Sequence, residues 1–183
     1  DKVDYSTLSS GVSITGNGGG SYTVTKSSGT DTLTNIENIS ATDQNDTLIG
    51  DETSNTFYGG AGNDYLDGRA GNDFLSGGDD NDTLLGGTGN DLIDGGAGND
   101  TVDYKDTPDF TSTTGVTVDL RTTTAQTVSS ELGNDTLTSI ENINGTAFKD
   151  ILIGYSNANI INGRAGDDTI TGNGGADVLN GEE

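Results

Sequence analysis

Residues 59–103 read GGAGNDYLD, GRAGNDFLS, GGDDNDTLL, GGTGNDLID and GGAGNDTVD, five nonapeptides in strict register with no insertion. Glycine dominates positions one, two and four, Asn-Asp fills positions five and six, and position eight is always large and apolar. A fixed short period marks a solenoid, in which each repeat is one structural unit stacked on its neighbours. The first six residues read as a turn, because glycine takes positive φ without steric cost and lets backbone carbonyls face inward. The last three read as a short strand whose central residue alone points inside. The predicted inward set is Leu48, Phe57, Leu66, Leu75, Leu84, Ile93 and Val102, then Leu152, Ile161, Ile170 and Leu179.

Working outward, degenerate copies precede the clean block at 41–58, and the pattern returns at 145–180 after a gap. A longer repeat encloses the short one. GTDTLTNIENIS at Gly29 recurs as GNDTLTSIENIN at Gly133, an offset of 104, whereas DKVDY at 1–5 recurs as DTVDY at 100–104, an offset of 99. The five extra residues of the second unit fall around Pro108 and read as a surface loop. Four blocks result: coils poor in the turn motif at 1–40, a nonapeptide block at 41–103, a second motif-poor block with the loop at 104–144, and a second nonapeptide block at 145–183. The chain opens at the sixth position of one nonapeptide and closes inside another, as a slice of a longer array would. That suggests self-association end to end, or further repeats.

Two nonapeptides complete one coil, so turns of alternate repeats stack about 4.8 Å apart on the same edge. Two carboxylates at that separation repel by roughly 0.8 kcal/mol even at the permittivity of water, yet they suit one Ca²⁺, whose oxygen ligands lie at about 2.3–2.6 Å. One buried apolar residue returns less than ordering nine backbones costs, and a bound cation reverses the sign of the carboxylate term.

Composition agrees. The 183 residues carry 30 acids against 7 bases, a net charge of -23, and only 28% are hydrophobic. Such a balance alone signals disorder; the period overrides it. With neither Cys nor His present, thiolate metal sites and the commonest general base are excluded. The acidity argues against nucleic acid and anionic membranes, and no apolar run approaches the ~18 residues of a membrane span. Cations are the natural partners, and no membrane insertion is expected.

The repeat resembles the RTX (repeats-in-toxin) calcium-binding nonapeptide over roughly 41–103 and 145–180. The resemblance implies an all-β, right-handed parallel β-roll, here in two tandem units of about 100 residues. It also implies secretion as an unfolded chain from a Gram-negative-type bacterium, with folding on extracellular Ca²⁺. Asp at position six is then the side-chain ligand: Asp46, Asp64, Asp73, Asp82, Asp91, Asp100, Asp150, Asp168 and Asp177. Turn carbonyls complete the shell, from position one (Gly59, Gly68, Gly77, Gly86, Gly95, Gly163), position three (Ala61, Ala70, Asp79, Thr88, Ala97, Ala165) and position five (Asn63, Asn72, Asn81, Asn90, Asn99, Asp167). The expected stacks are Asp46–Asp64–Asp82–Asp100, Asp73–Asp91, Asp150–Asp168 and Asp177 over Asn159. Neutral Asn55 and Asn159 should weaken the sites they share, and Asp80 replaces a turn glycine. Asp31 and Asp135 are further candidates.

The stretches 5–40 and 104–144 alternate in places, and Leu33, Ile36, Ile39 with Leu137, Ile140, Ile143 recur three apart. Their β-branched residues favour continued solenoid coils turning a tight corner over a helix. Paired carboxylates do occur in glycosidases, but repeated positions suit metal stacking better than one asymmetric catalytic site. Outward pairs such as Thr47/Ile49 and Tyr65/Asp67 form no Thr or Asn ladder of the ice-binding kind. The expected function is a non-catalytic, calcium-stabilised extracellular scaffold of an adhesin, surface layer or filament. The alternative is the accessory folding and secretion module of an RTX enzyme or toxin.

Overall fold

A computed structural model describes residues 1–106 and 111–182; the loop expected around Pro108 lies outside the described residues. The first unit contains β1 (Lys2–Asp4), β2 (Ser13–Gly18), β3 (Ser21–Lys26), β4 (Gly29–Thr34), β5 (Asn38–Ser40), β6 (Thr47–Ile49), β7 (Thr56–Ala61), β8 (Tyr65–Asp67), β9 (Phe74–Asp79), β10 (Thr83–Leu85) and β11 (Leu92–Ala97). The second contains β12 (Thr101–Asp103), β13 (Thr117–Asp119), β14 (Gln126–Ser129), β15 (Gly133–Thr138), β16 (Asn142–Asn144), β17 (Ile151–Ile153), β18 (Ile160–Asn162), β19 (Thr169–Thr171) and β20 (Val178–Asn180). Elements β12–β20 repeat β1–β9 in order, as the long sequence repeat requires.

The chain is an all-β parallel roll. Strands two nonapeptides apart pair in parallel, for example Leu48 with Leu66 and Phe57 with Leu75. Successive strands therefore alternate between two sheets: one of seven strands (β1-β5-β7-β9-β11-β15-β14) and one of ten (β20-β18-β16-β12-β10-β8-β6-β2-β3-β4). A third sheet, β13-β17-β19, takes over from the seven-stranded one in the second unit. Position eight fills the core: Leu48, Phe57, Leu66, Leu75, Leu84, Ile93, Val102, Leu152 and Ile161 are wholly buried. Ile170 is only partly buried and Leu179 is 46% exposed, because no further described coil covers them.

Three features depart from the expected coils. Residues 1–40 and 104–144 join the parallel stack through β1, β2, β5, β13, β15 and β16, but they also contain antiparallel pairs, β2–β3–β4 and β14–β15. The three-glycine run Gly18–Gly20, all at positive φ, turns β2 back on itself. Second, the split into a six-residue turn and three-residue strand holds for β6, β8, β10, β12 and β17 to β20, but β7, β9 and β11 run on to position three. Their ladder continues because Gly78 passes so close to the Gly60 carbonyl that a Cβ would collide with it. Across the roll, Arg69 fills position two and only an Ala70–Thr88 bridge persists. Third, Leu85, expected to face outward, is buried.

Asp80 keeps the turn it was expected to disturb, adopting φ +76 in a place where neighbouring repeats use glycine. A left-handed residue with a side chain costs about 1–2 kcal/mol, partly offset by the extra entropy glycine has when unfolded. Asp80→Gly should therefore raise unfolding stability by roughly 0.5–1 kcal/mol, measured by denaturant titration; a loss would contradict this reading of the turn.

Candidate metal centre

Position six stands at the edge of the coil, immediately before each short strand. The backbone N–H of most such residues donates to a carboxylate oxygen of an acidic residue one coil on. Along the ten-stranded sheet Asp46 donates to Asp64, Asp64 to Asp82 and Asp82 to Asp100, each at 2.8 Å. On the opposite edge Asn55 donates to Asp73 at 2.7 Å and Asp73 to Asp91 at 2.9 Å. Both rows then run past the clean block, Asp91 donating to Asp135 and Asp100 to Glu141. Glu141 was not anticipated, and Asp135 rested only on GND, since neither lies in a nonapeptide. The second block has its own pairs, Asp150 to Asp168 and Asn159 to Asp177.

The second carboxylate oxygen separates the aspartates. Oδ2 of Asp64, Asp73, Asp82, Asp91, Asp100 and Asp168 is buried without a hydrogen-bond partner, and a buried unsatisfied oxygen is costly. It faces the position-one glycine of its own turn. A Cβ on Gly59 would overlap Asp64 Oδ2 and lie 2.6 Å from the Gly77 carbonyl oxygen; Gly77 stands likewise against Asp82 Oδ2 and the Gly95 carbonyl. The same cradle forms at Gly68, with Asp73 Oδ2 and the Gly86 carbonyl. At Gly86, Gly95 and Gly163 the nearest groups include Oδ2 of Asp91, Asp100 and Asp168. Anionic and carbonyl oxygens converging where no side chain can enter suit a hard cation. Among the described residues no three acidic side chains gather as a metal-binding group.

Asp46 and Asp150 differ: Thr42 and Thr146 donate N–H to their Oδ2 at 2.7 Å. These two close the stack with hydrogen bonds of their own. Asn55 and Asn159 each use a donor that aspartate lacks, to the Tyr22 hydroxyl at 2.8 Å and to the Glu141 carbonyl at 2.6 Å.

The remaining expected ligands fall into two groups. Ala61, Asp79 and Ala97 lie in the strand ladder, and the Thr88 carbonyl accepts from Gly71 N–H across the bridge from Ala70. Ala165 is half-buried and Asp167 exposed in the second block. Position five builds a second ladder on the surface. The N–H groups of Asn63, Asn81 and Asn99 donate to the side chains of Asn45, Asn63 and Asn81, while Asn90 donates to Asn72 and Asn134 to Asn90. These bonds reach back one coil, whereas the aspartate bonds reach forward. The run of Asn at position five was the signal for this ladder.

Without a cation the carboxylates resist ionisation. Burial pushes Asp64 and Asp73 up to about 8, against the N–H bonds they accept and with repulsion from neighbouring aspartates adding to it. Burial likewise raises Asp82 to about 7 and Asp91 and Asp100 to about 6.

A family profile for the RTX calcium-binding nonapeptide repeat matches four times, at residues 40–75, 76–106, 138–169 and 153–183, together more than half of the chain. The chain belongs to the RTX calcium-binding nonapeptide repeat family. No curated protein matches it as a relative. RTX repeats bind calcium, and the orphaned oxygens and glycine cradles fit that ion. When bound, it supplies the positive charge that lets stacked carboxylates stay ionised in a buried row.

Two measurements check the electrostatics. A carboxyl raised in the folded state stabilises below its unfolded value near 4 and ceases to as pH rises through its folded value. The metal-free RTX roll should thus lose thermal stability between pH 5 and 8, the window set by Asp64, Asp73, Asp82, Asp91 and Asp100. A midpoint that rises over that range would contradict it. Separately, Gly77→Ala should abolish the cradle at Asp82 and lower calcium uptake, whereas Gly181→Ala, with nothing within 4 Å, should be neutral by calorimetric titration.

Proposed function

We propose that this chain is a non-catalytic structural segment of a secreted protein, a scaffold that folds when it meets extracellular calcium. The observation that carries the reading is the set of six buried aspartate oxygens without partners, each aimed into a glycine-lined turn. Asp64, Asp82 and Asp100 on one edge, Asp73 and Asp91 on the other, and Asp168 in the second block are the proposed side-chain ligands. Carbonyls of Gly77, Gly86 and Gly95 and their turns complete the shell. Asp46 and Asp150 act as end stops, and Asp177, over Asn159, contributes a weaker site. A scaffold suits the geometry better than catalysis, because the aspartates repeat the same contacts coil after coil and no His is present to activate a nucleophile. Export as an unfolded chain suits a repeat whose buried carboxylates disfavour folding wherever calcium is scarce.

Circular dichroism during calcium titration tests the proposal. In chelator at pH 7.5 the chain should lack β-signal and gain it on adding Ca²⁺ but much less with Mg²⁺, which demands tight octahedral sites with retained water. Asp82→Asn keeps the acceptor for Asp64 N–H and removes one charge, so calcium should bind about tenfold more weakly, ~1.4 kcal/mol. Full β-signal in chelator, or unchanged affinity in the variant, would overturn the reading.

A further inference from the structure

The corner that leads from β15 into β16 is shorter than any nonapeptide turn. At this level β11 pairs with β15 and β12 with β16, Asp94 facing Thr138 and Thr101 facing Asn142. Between those partners one coil has six residues, 95–100, and the next has three, 139–141. The register therefore puts Ser139 in the place of a position-one glycine and Glu141 in the place of a position-six aspartate. Both take up the contacts of those positions. Asp100 N–H donates to Glu141 Oε2 at 2.9 Å, as Asp82 N–H does to Asp100 at 2.8 Å. A Cβ on Gly95 would collide with the Ser139 carbonyl oxygen, just as one on Gly77 would lie 2.6 Å from the Gly95 carbonyl oxygen. Oδ2 of the fully buried Asp100 points to the same spot, 2.7 Å from that Cβ, and has no hydrogen-bond partner. The N–H groups of Glu141 and Asn142 both donate to the Asp100 carbonyl, at 3.1 and 2.9 Å, and seat the corner on the turn beneath it.

The opposite edge of the roll is sealed at the same level. There Asp91 N–H donates to Asp135 Oδ1, but the buried Tyr104 hydroxyl takes Asp135 Oδ2. The three atoms nearest a Cβ on Gly86 all belong to Asp91, so no carbonyl of the next coil comes as close as Ser139 does to Gly95. Glu141, by contrast, is half-buried. Its Oε1 accepts from the Tyr155 hydroxyl at 3.3 Å, beside a cavity of about 120 Å³ lined in part by Ser139, Glu141 and Tyr155. That cavity has room for the waters that often complete a calcium shell. We propose that Asp100 Oδ2, the Ser139 carbonyl and the Glu141 carboxylate hold one Ca²⁺, in a site assembled from both units and partly from residues outside the nonapeptide motif. The other rows in the clean block join residues 18 apart, whereas Asp100 and Glu141 are 41 apart. The ion thus closes the loop that carries β13, β14 and β15, and a metal clip gains most where the loop it closes is long. Calcium at this corner governs how firmly the second unit docks on the first. The inference rests on the scaffold reading and adds to it a ligand, Glu141, that the repeat does not supply.

Equilibrium dialysis against calcium, with circular dichroism on the same samples, tests it in the full chain. Glu141→Gln keeps an acceptor for Asp100 N–H and removes one charge. It should bind one ion about tenfold more weakly than the wild type and match it in β-signal once calcium is saturating. Glu182→Gln, the same change of charge at an exposed residue, should match the wild type throughout. Terbium, which takes the same oxygen ligands as calcium, gives a second measurement that alters no ligand. Tyrosine passes its excitation to a lanthanide close by, so Tyr155→Phe should lose part of the sensitised terbium emission, and Glu141→Gln should lose the same part. Unchanged calcium affinity in a folded Glu141→Gln chain, or unchanged emission in Tyr155→Phe, would overturn the inference. If Asp82→Asn still weakens calcium binding in that event, the scaffold reading stands; if it does not, both fall.

Discussion

One hydrogen bond, repeated every eighteen residues, sets the terms for the rest of the roll: the backbone N–H of an aspartate donating to Oδ1 of the aspartate one coil on. It fixes the parallel register, since a slip of one residue would break every bond in the row. It also occupies one carboxylate oxygen and leaves the other buried against a turn in which only glycine fits. In the proposed reading, structural order and affinity for a cation come from the same side chain. Burial that makes the ladder rigid also makes ionisation unfavourable, and a positive ion in the cradle would remove that conflict without protonation.

The asparagine ladder runs the other way, each N–H reaching back to the preceding coil. Adjacent residues thus clamp a coil to both neighbours, the outer bond exposed and the inner one buried. This explains how a repeat with one fully buried apolar residue holds its register. The antiparallel strands have a different task. On the seven-stranded side β14 covers the edge of β15, so the next parallel strand, β17, pairs with β13 instead. The ten-stranded sheet passes uninterrupted through the same level, and the two units are joined along one face while the other begins anew.

The nonapeptide made much of this legible. The inward residues, the two alternating edges and the order of the aspartate rows all follow from a period of nine, because each repeat presents the same backbone to its neighbours. What escaped was non-periodic. Nothing in the spacing tells that Thr42 and Thr146 satisfy Asp46 and Asp150, since position two carries no fixed residue type from copy to copy. Glu141 enters a row from a strand that lacks the motif. The hairpins of 13–34 and 126–138 depend on which face of a strand finds a partner, a choice made by tertiary packing and not by alternation. Asp80 replaces a turn glycine and still keeps the turn, because aspartate tolerates the left-handed region better than most residues.

The central claim is that unpartnered aspartate oxygens locate the calcium. An anomalous difference map from crystals grown in millimolar calcium tests it most directly. The account predicts peaks against Oδ2 of Asp64, Asp73, Asp82, Asp91, Asp100 and Asp168, in two rows along the first nonapeptide block, with no strong peak at Asn55 or Asn159. Calcium found elsewhere, with those six oxygens left without a metal contact, would contradict it.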